Sequence, residues 1–224
     1  VVASSVPKRS ARALLMLGKA HELAGSPELA QENYLKAHQA AKGVPTVGMA
    51  YAEFLLKRGQ AARAGDVAEE VLRGTPGYVP AMRLLAQARI NQGDWIRAQA
   101  VADELARVQN QKQAADQVRG AIFAARKNYA DSIAAFRRAF EESPNDVQPL
   151  VSLVRSYLLA GKQDEAIAFL KSVVRASPGN VDAKLLLGQL LGMKGDLAGS
   201  RQAFQAAVAE RPKDAAAHIG LANV

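Results

Sequence analysis

The chain of 224 residues contains no cysteine. That absence removes a disulfide framework, a thiolate zinc site and a cysteine nucleophile together. It also leaves the redox compartment open, because a cysteine-free chain suits the cytosol and the periplasm alike. Aromatic residues make up only 5% of the sequence, with a single Trp, so the stacking platforms of single-stranded nucleic-acid binders are poorly represented. No apolar run approaches the roughly 18 to 20 residues needed to cross a membrane. The first ten residues, VVASSVPKRS, lack a charged start followed by an apolar stretch, which excludes a secretory signal there. They read as the edge of an excised fragment, a leader over residues 1–10. The localisation is therefore not set by any address in the sequence.

Catalytic chemistry is equally thin. The three histidines are His21, His38 and His218, and no two of them stand at HExxH spacing. His21 takes the eleventh place, usually filled by Leu or Tyr, which reads as a partly buried structural histidine. Gly161-Lys162 has no glycine five residues earlier and no following Ser or Thr, so it is not a phosphate loop. The carboxylate pairs Glu69-Glu70, Asp103-Glu104 and Glu141-Glu142 fall where solvated outer-surface charge is expected. Nothing here indicates an enzyme, a cofactor or a metal.

What the chain does have is a period. Pro144, Pro178 and Pro212 are spaced by 34 residues, and Pro76 stands 68 before Pro144. Proline cannot continue a helix, so prolines at a fixed interval suggest a repeated stop. A period of 34 gives units 11–44, 45–78, 79–112, 113–146, 147–180 and 181–214, with a truncated seventh over 215–224. The fifteenth place reads Gly25, Gly59, Gly93, Lys127, Gly161 and Gly195. Glycine there ends a helix in the left-handed region without steric cost. The next residues, Ser26, Gln60, Asp94, Asn128, Lys162 and Asp196, include four good N-caps for a second helix. Each unit therefore predicts helix, tight turn, helix, and a second turn near the proline.

Small residues mark where those two helices cross. The eighth place reads Gly18, Ala52, Ala86, Gly120, Val154 and Gly188; the twentieth reads Ala30, Ala64, Ala98, Ser132, Ala166 and Ser200. Larger side chains are expected around the crossing, among them Leu17, Tyr51, Leu85, Leu153 and Leu187 at the seventh place. Arg89 at the eleventh place and Arg119 at the seventh depart from this apolar pattern. Their stems can pack on the core with the guanidinium at the edge; alternatively they anchor an acidic group or pin a junction between units. The last ten residues predict a helix packed on Ser200–Glu210, with Ile219, Leu221 and Ala222 on its apolar side. An end left without a polar cap makes self-association through it an expectation.

This pattern resembles the tetratricopeptide repeat, over Ala11 to Asp214 without a gap. The resemblance implies an all-α fold: antiparallel helix pairs stacked as a right-handed superhelix, with a concave groove lined by first helices. It also implies a protein-binding scaffold whose partner is a protein or peptide segment. The runs QGDWIRAQAVADEL, RKNYADSIAAFRRAFEESPND and AGKQDEAIAFLKSVV further resemble the large repeat lipoproteins of the exosortase (PEP-CTERM) system. That second resemblance implies exopolysaccharide synthesis or protein sorting in a bacterium, at a periplasmic or membrane-anchored location; without it a cytoplasmic location stands equally open.

Places two, five, nine, twelve and thirteen share one stripe of each first helix. From them the candidate groove residues are Lys19, Glu53, Arg83, Gln87, Asn91, Gln117, Arg155 and Gln189. No unit joins Lys at place five with Asn at place nine, which excludes the carboxylate grip of the repeat co-chaperones. The alternative ligand is an acidic polymer, an anionic polysaccharide or a nucleic acid, suggested by the net charge of +8. Against nucleic acid, each 34-residue window from Ala11 carries a net charge between 0 and +2, so no segment concentrates the basic residues.

Overall fold

In the computed structural model, residues 5–224 are described, with side chains from Ser10 onward. Of the expected leader, residues 1–4 lie outside the described residues; residues 5–10 form the opening turns of the first helix, which thus starts before Ala11. The described residues form thirteen α-helices and no strand. They are α1 Ser5–Leu23, α2 Pro27–Ala40, α3 Pro45–Lys57, α4 Ala61–Gly74, α5 Val79–Asn91, α6 Trp95–Arg107 and α7 Lys112–Ala125. Then follow α8 Tyr129–Glu142, α9 Val147–Leu159, α10 Gln163–Ala176, α11 Val181–Lys194, α12 Leu197–Glu210 and α13 Ala215–Ala222. The fold is all-α, and consecutive helices are joined by turns short enough to make neighbours antiparallel.

The turn inside each helix pair is built the same way six times. Gly25, Gly59, Gly93, Gly161 and Gly195 all have positive φ, and Lys127 takes φ 60° in the one unit without glycine. In each turn the backbone N–H of the sixteenth place donates to the carbonyl of the eleventh at 2.9 Å, from Ser26 to His21 through Asp196 to Leu191. That six-residue bond closes the orphan carbonyls at a helix C-terminus, and it requires the left-handed residue between its partners. Asp94, Asn128 and Asp196 then cap the second helix through their side chains. Ser26, expected to do the same, makes no side-chain cap bond. Pro27 follows it at the first helical position, where proline has no N–H to satisfy and a pre-set φ.

First helices start by two devices. Pro45 and Pro80 open α3 and α5, whereas Asp146, Asn180 and Asp214 cap α9, α11 and α13 through their side chains. In the turn after the third helix pair, where Asn110 stands in the place of the proline, Asn110 itself turns left-handed at φ 59°. Asparagine tolerates that conformation better than most side chains.

The chain divides into two compact units, one ending at Ile122 and one spanning Phe123–Val224. In the first, α1 to α6 each pack on the next, and odd-numbered helices also touch one another, α1 on α3 and α3 on α5. In the second the same holds, with α9 on α11 and α11 on α13. The twentieth places, Ala30, Ala64, Ala98, Ser132, Ala166 and Ser200, are all 0% exposed. At Gly188 a Cβ would stand 2.9 Å from the ring of Phe204, and one on Gly220 would overlap the same ring from α13. Glycine therefore lets one aromatic ring lie between two first helices, and this explains why a bulkier residue does not fill the site.

Two expectations are corrected at the ends. Leu17 is 50% exposed rather than packed at the crossing; no second helix precedes α1 among the described residues to cover its seventh place. In α13 the buried residue is Ala217, while Ile219 is 61% exposed. The contact to α12 runs through the small Ala217–Gly220 side, because Phe204 needs that space.

Gly188→Leu is expected to lower stability by at least about 1 to 3 kcal/mol, since the ring of Phe204 cannot retreat from a packed crossing. Gly195→Val, which forces a β-branched residue into the left-handed region, is expected to lower it as well. Chemical denaturation reads both; midpoints equal to the parent's would overturn this account of the turns and crossings.

Candidate partner-binding faces

In the first unit the expected groove residues divide between exposed and committed. Lys19, Glu53, Arg83, Gln87 and Asn91 are exposed on α1, α3 and α5. Gln87 Nε2 donates to Asn91 Oδ1 at 2.7 Å. Arg83 Nη2 donates to Gln117 Oε1, 34 residues later on α7. Gln117 is only 8% exposed, so it serves as a bridge between first helices rather than as an open amide.

The same face carries a cluster that was not among the expected site residues. Glu22 accepts hydrogen bonds from Lys57 Nζ and from the Tyr34 hydroxyl, each at 2.8 Å. The Lys57 bond first, and the Tyr34 bond second, hold the Glu22 carboxyl below its ordinary acidity range. Burial and the neighbouring Glu22 carboxylate push the Tyr34 hydroxyl up. The sequence signal for this was an acid at the twelfth place, where an apolar residue is usual, facing a Lys at the thirteenth place of the next unit.

The second unit presents a different face. Arg155 on α9 and Gln189 on α11 are exposed and make no hydrogen bond or ion pair among the described residues. Beside them Val151, Leu159 and Met193 are exposed, Met193 to 70%, and Ile219 continues the fifth-place row onto α13. Leu158 and Leu185 are half-buried between them. Apolar side chains this open on neighbouring helices leave apolar surface in water.

The outer charges are less idle than their sequence positions suggest. Glu69, expected to be solvated, pairs with Arg89, which is 7% exposed and also donates to Gln92 Oε1 at 3.1 Å. Asp103 accepts from Arg119 Nη2 at 2.9 Å, with Asp116 3.3 Å from the same guanidinium. The hydrogen bond from Arg119 holds the Asp103 carboxyl below its ordinary range. Glu70 lies 3.2 Å from the buried His38 ring. In the second unit Arg137 bonds the Tyr157 hydroxyl and lies over the Phe169 ring, 5.0 Å from its centroid. The twenty-fifth place of one repeat thus faces the seventh and eleventh of the next: Glu69 to Arg89, Asp103 to Arg119, Arg137 to Tyr157. Both departing arginines pin junctions between helix pairs. A buried guanidinium persists only with such a partner.

Among the described residues no three His, Asp or Glu side chains gather as a metal site would require, and no helix is long and apolar enough to cross a membrane. A family model described as tetratricopeptide repeat matches residues 55–122, 123–190 and 157–224. No curated sequence matches the chain significantly. Among solved structures it is similar to a tetratricopeptide repeat protein from Parabacteroides merdae, at 18% identity and a TM-score of 0.62, covering 95% of this chain and 83% of that one. It is also similar to PilF of Pseudomonas aeruginosa, at 13% identity and a TM-score of 0.57, over 97% and 99% of the two chains. PilW, a type IV pilus biogenesis factor, shows 16% identity and a TM-score of 0.57, over 94% and 98%. At these identities the likeness is one of fold.

Two measurements check the polar contacts. In a double-mutant cycle, Arg89→Met and Glu69→Gln are expected to couple by about 1 kcal/mol or more, because one partner is buried; additive effects would show the pair to be idle. Because the folded-state pKa of Glu22 is lowered, its contribution to stability is present above the ordinary carboxylate range and is lost as pH falls through that range to the lower folded-state pKa. Glu22→Gln should therefore flatten the acid limb of a stability-against-pH curve for the whole chain; an unchanged slope would contradict the Lys57 and Tyr34 contacts.

Proposed function

The chain belongs to the tetratricopeptide repeat family, and on that premise we propose that it is a non-catalytic scaffold holding a segment of another protein against its first helices. In this reading Ala11–Asp214 forms six repeats of 34 residues, followed by the first helix of a seventh. Proteins of this fold typically mediate protein–protein contacts. The observation that carries the reading is the open face of the second unit, where Arg155 and Gln189 stand without partners beside exposed Val151, Leu159 and Met193. Lys19, Glu53, Arg83, Gln87, Asn91 and Gln117 make up the corresponding face of the first unit.

An acidic polymer is the weaker reading. A polyanion would need a row of free cations, each releasing counterions, and Arg83 is already engaged by Gln117. The face around Arg155 is otherwise apolar and amide. The three sequence runs similar to exosortase-system lipoproteins support a setting in the bacterial cell envelope, in exopolysaccharide synthesis or protein sorting.

The test compares Arg155→Ala combined with Gln189→Ala against Lys171→Ala combined with Arg175→Ala on α10. Arg137 is unsuitable as an outer-face control, since it is bonded to Tyr157. All four positions are exposed, so both variants should melt like the parent. Partners cross-linked to the parent protein should be lost from the first variant and kept by the second; the reverse pattern would refute the assignment. Binding should also fall only weakly between low and physiological salt, whereas a steep log-linear decline would favour the polymer.

A further inference from the structure

The polar rule that pins one helix pair on the next breaks where α9 and α10 meet α11 and α12. Lys171 stands at the twenty-fifth place, but the seventh and eleventh places opposite it are Leu187 and Leu191. Lys171 is exposed and makes no hydrogen bond or ion pair among the described residues. A cavity of about 330 Å³ lies here between α10 and α12, with α11 as its floor. Leu187, Leu191, Val174 and Ala203 line its length, and Lys171 stands among them. Its ends are unlike. Lys184 and Ala206 line one, and Asp196, which caps α12 through its side chain, lines the other. From Lys184 to Leu191 is seven residues of α11, about 10 Å along the axis.

Lys184 departs from its own column. The fourth place holds Met82 and Leu150 in two other repeats, both buried, and Lys184 is itself only 5% exposed. Its Nζ donates to Glu210 Oε1 at 3.0 Å and to the Ala206 carbonyl at 3.3 Å. An ammonium carries three donors, so one remains for an acceptor in the cavity. A buried ion pair is often no more stabilising than the apolar side chain it replaces, so packing alone does not account for a lysine at this place.

We infer that this cavity binds a small monocarboxylate with an unbranched apolar tail, its carboxylate held by Lys184 and Lys171 and its tail lying along Leu187 and Leu191. The volume falls in the range of small-molecule sites, which are mostly apolar with a few placed polar groups. The carboxylate accepts the third Nζ hydrogen of Lys184 in a charge-assisted bond and supplies the counter-charge that Lys171 lacks. Asp196 at the far end repels a second acid, which disfavours dicarboxylates and polyanions. A cationic amphiphile meets two ammonium groups instead of a partner. The site is separate from the partner-binding face: Leu187 and Leu191 each stand two residues from Gln189, about 200° around the helix, so a ligand here leaves that face open.

The probe is a series of sodium butanoate, hexanoate and octanoate, titrated into the whole chain with its Leu and Val methyl groups isotope-labelled for NMR. Octanoate is expected to shift the Leu187, Leu191 and Val174 signals saturably, with affinity rising about fourfold per added methylene group. Lys171→Glu, at an exposed position, should weaken octanoate at least about tenfold. Lys184→Met, which restores the residue type of Met82, should do the same while leaving the melting temperature near the parent's. Arg155→Ala with Gln189→Ala should leave octanoate binding unchanged, and Lys171→Ala with Arg175→Ala should lose octanoate while keeping protein partners. Octylammonium binding as well as octanoate, saturable shifts absent from these three residues, or affinity indifferent to both Lys171→Glu and Lys184→Met overturns the inference.

Discussion

Two helices can lie close only where the side chains at their crossing are small, and every other feature of this chain is arranged around that contact. The six residues at the twentieth place are fully buried alanines and serines. Opposite them, Gly188 leaves space for the Phe204 ring, where even one methyl group would collide. A tight crossing fixes the relative position of the two helices, because packed interiors resist changes of a single methylene. The turn is then constrained to the short left-handed form with its 2.9 Å closing bond. Loss of glycine at Lys127 does not change that geometry; the lysine adopts it, at a cost that the surrounding pair must offset.

Polar contacts decide how one pair sits on the next. Arg89 and Arg119 occupy places that apolar residues fill elsewhere, and each meets a carboxylate from the twenty-fifth place of the preceding repeat. Arg137 reverses the arrangement, placing the cation on the earlier repeat and a Tyr157 hydroxyl on the later one. Such contacts are directional, so they specify an angle and not merely proximity. They also lower the number of charges available to any ligand, which is why a net charge of +8 leaves few free cations on the first helices.

The consequence for function is an asymmetry between the two units. On the first, polar residues of neighbouring helices satisfy one another, and a ligand would have to exchange bonds without net gain. On the second, apolar side chains and two unpartnered polar groups, Arg155 and Gln189, remain in water; burying the apolar ones releases free energy on the order of 25 cal/mol per Å². In the reading proposed above, one half keeps its shape by internal bonds while the other retains the surface that a partner would cover.

Period and composition were sufficient to determine the all-α class, the first-helix starts at Pro45, Val79, Val147, Val181 and Ala215, and the left-handed turns. The reason is that these depend on local rules: proline stops, glycine turns, and small residues at a crossing recur at fixed spacing. Burial of the twentieth place was legible for the same reason. Ser26 failing to cap, Gln117 being buried under Arg83, Ile219 facing solvent, and Glu69 and Asp103 being bound to arginines were not legible in this way. Apart from the Ser26 turn, each depends on which side chain of a different helix arrives within a few ångströms, at separations of 16 to 34 residues in the paired cases. Tertiary structure alone sets those meetings, because hydrogen bonds and ion pairs decay over a distance far shorter than the tolerance of any sequence pattern.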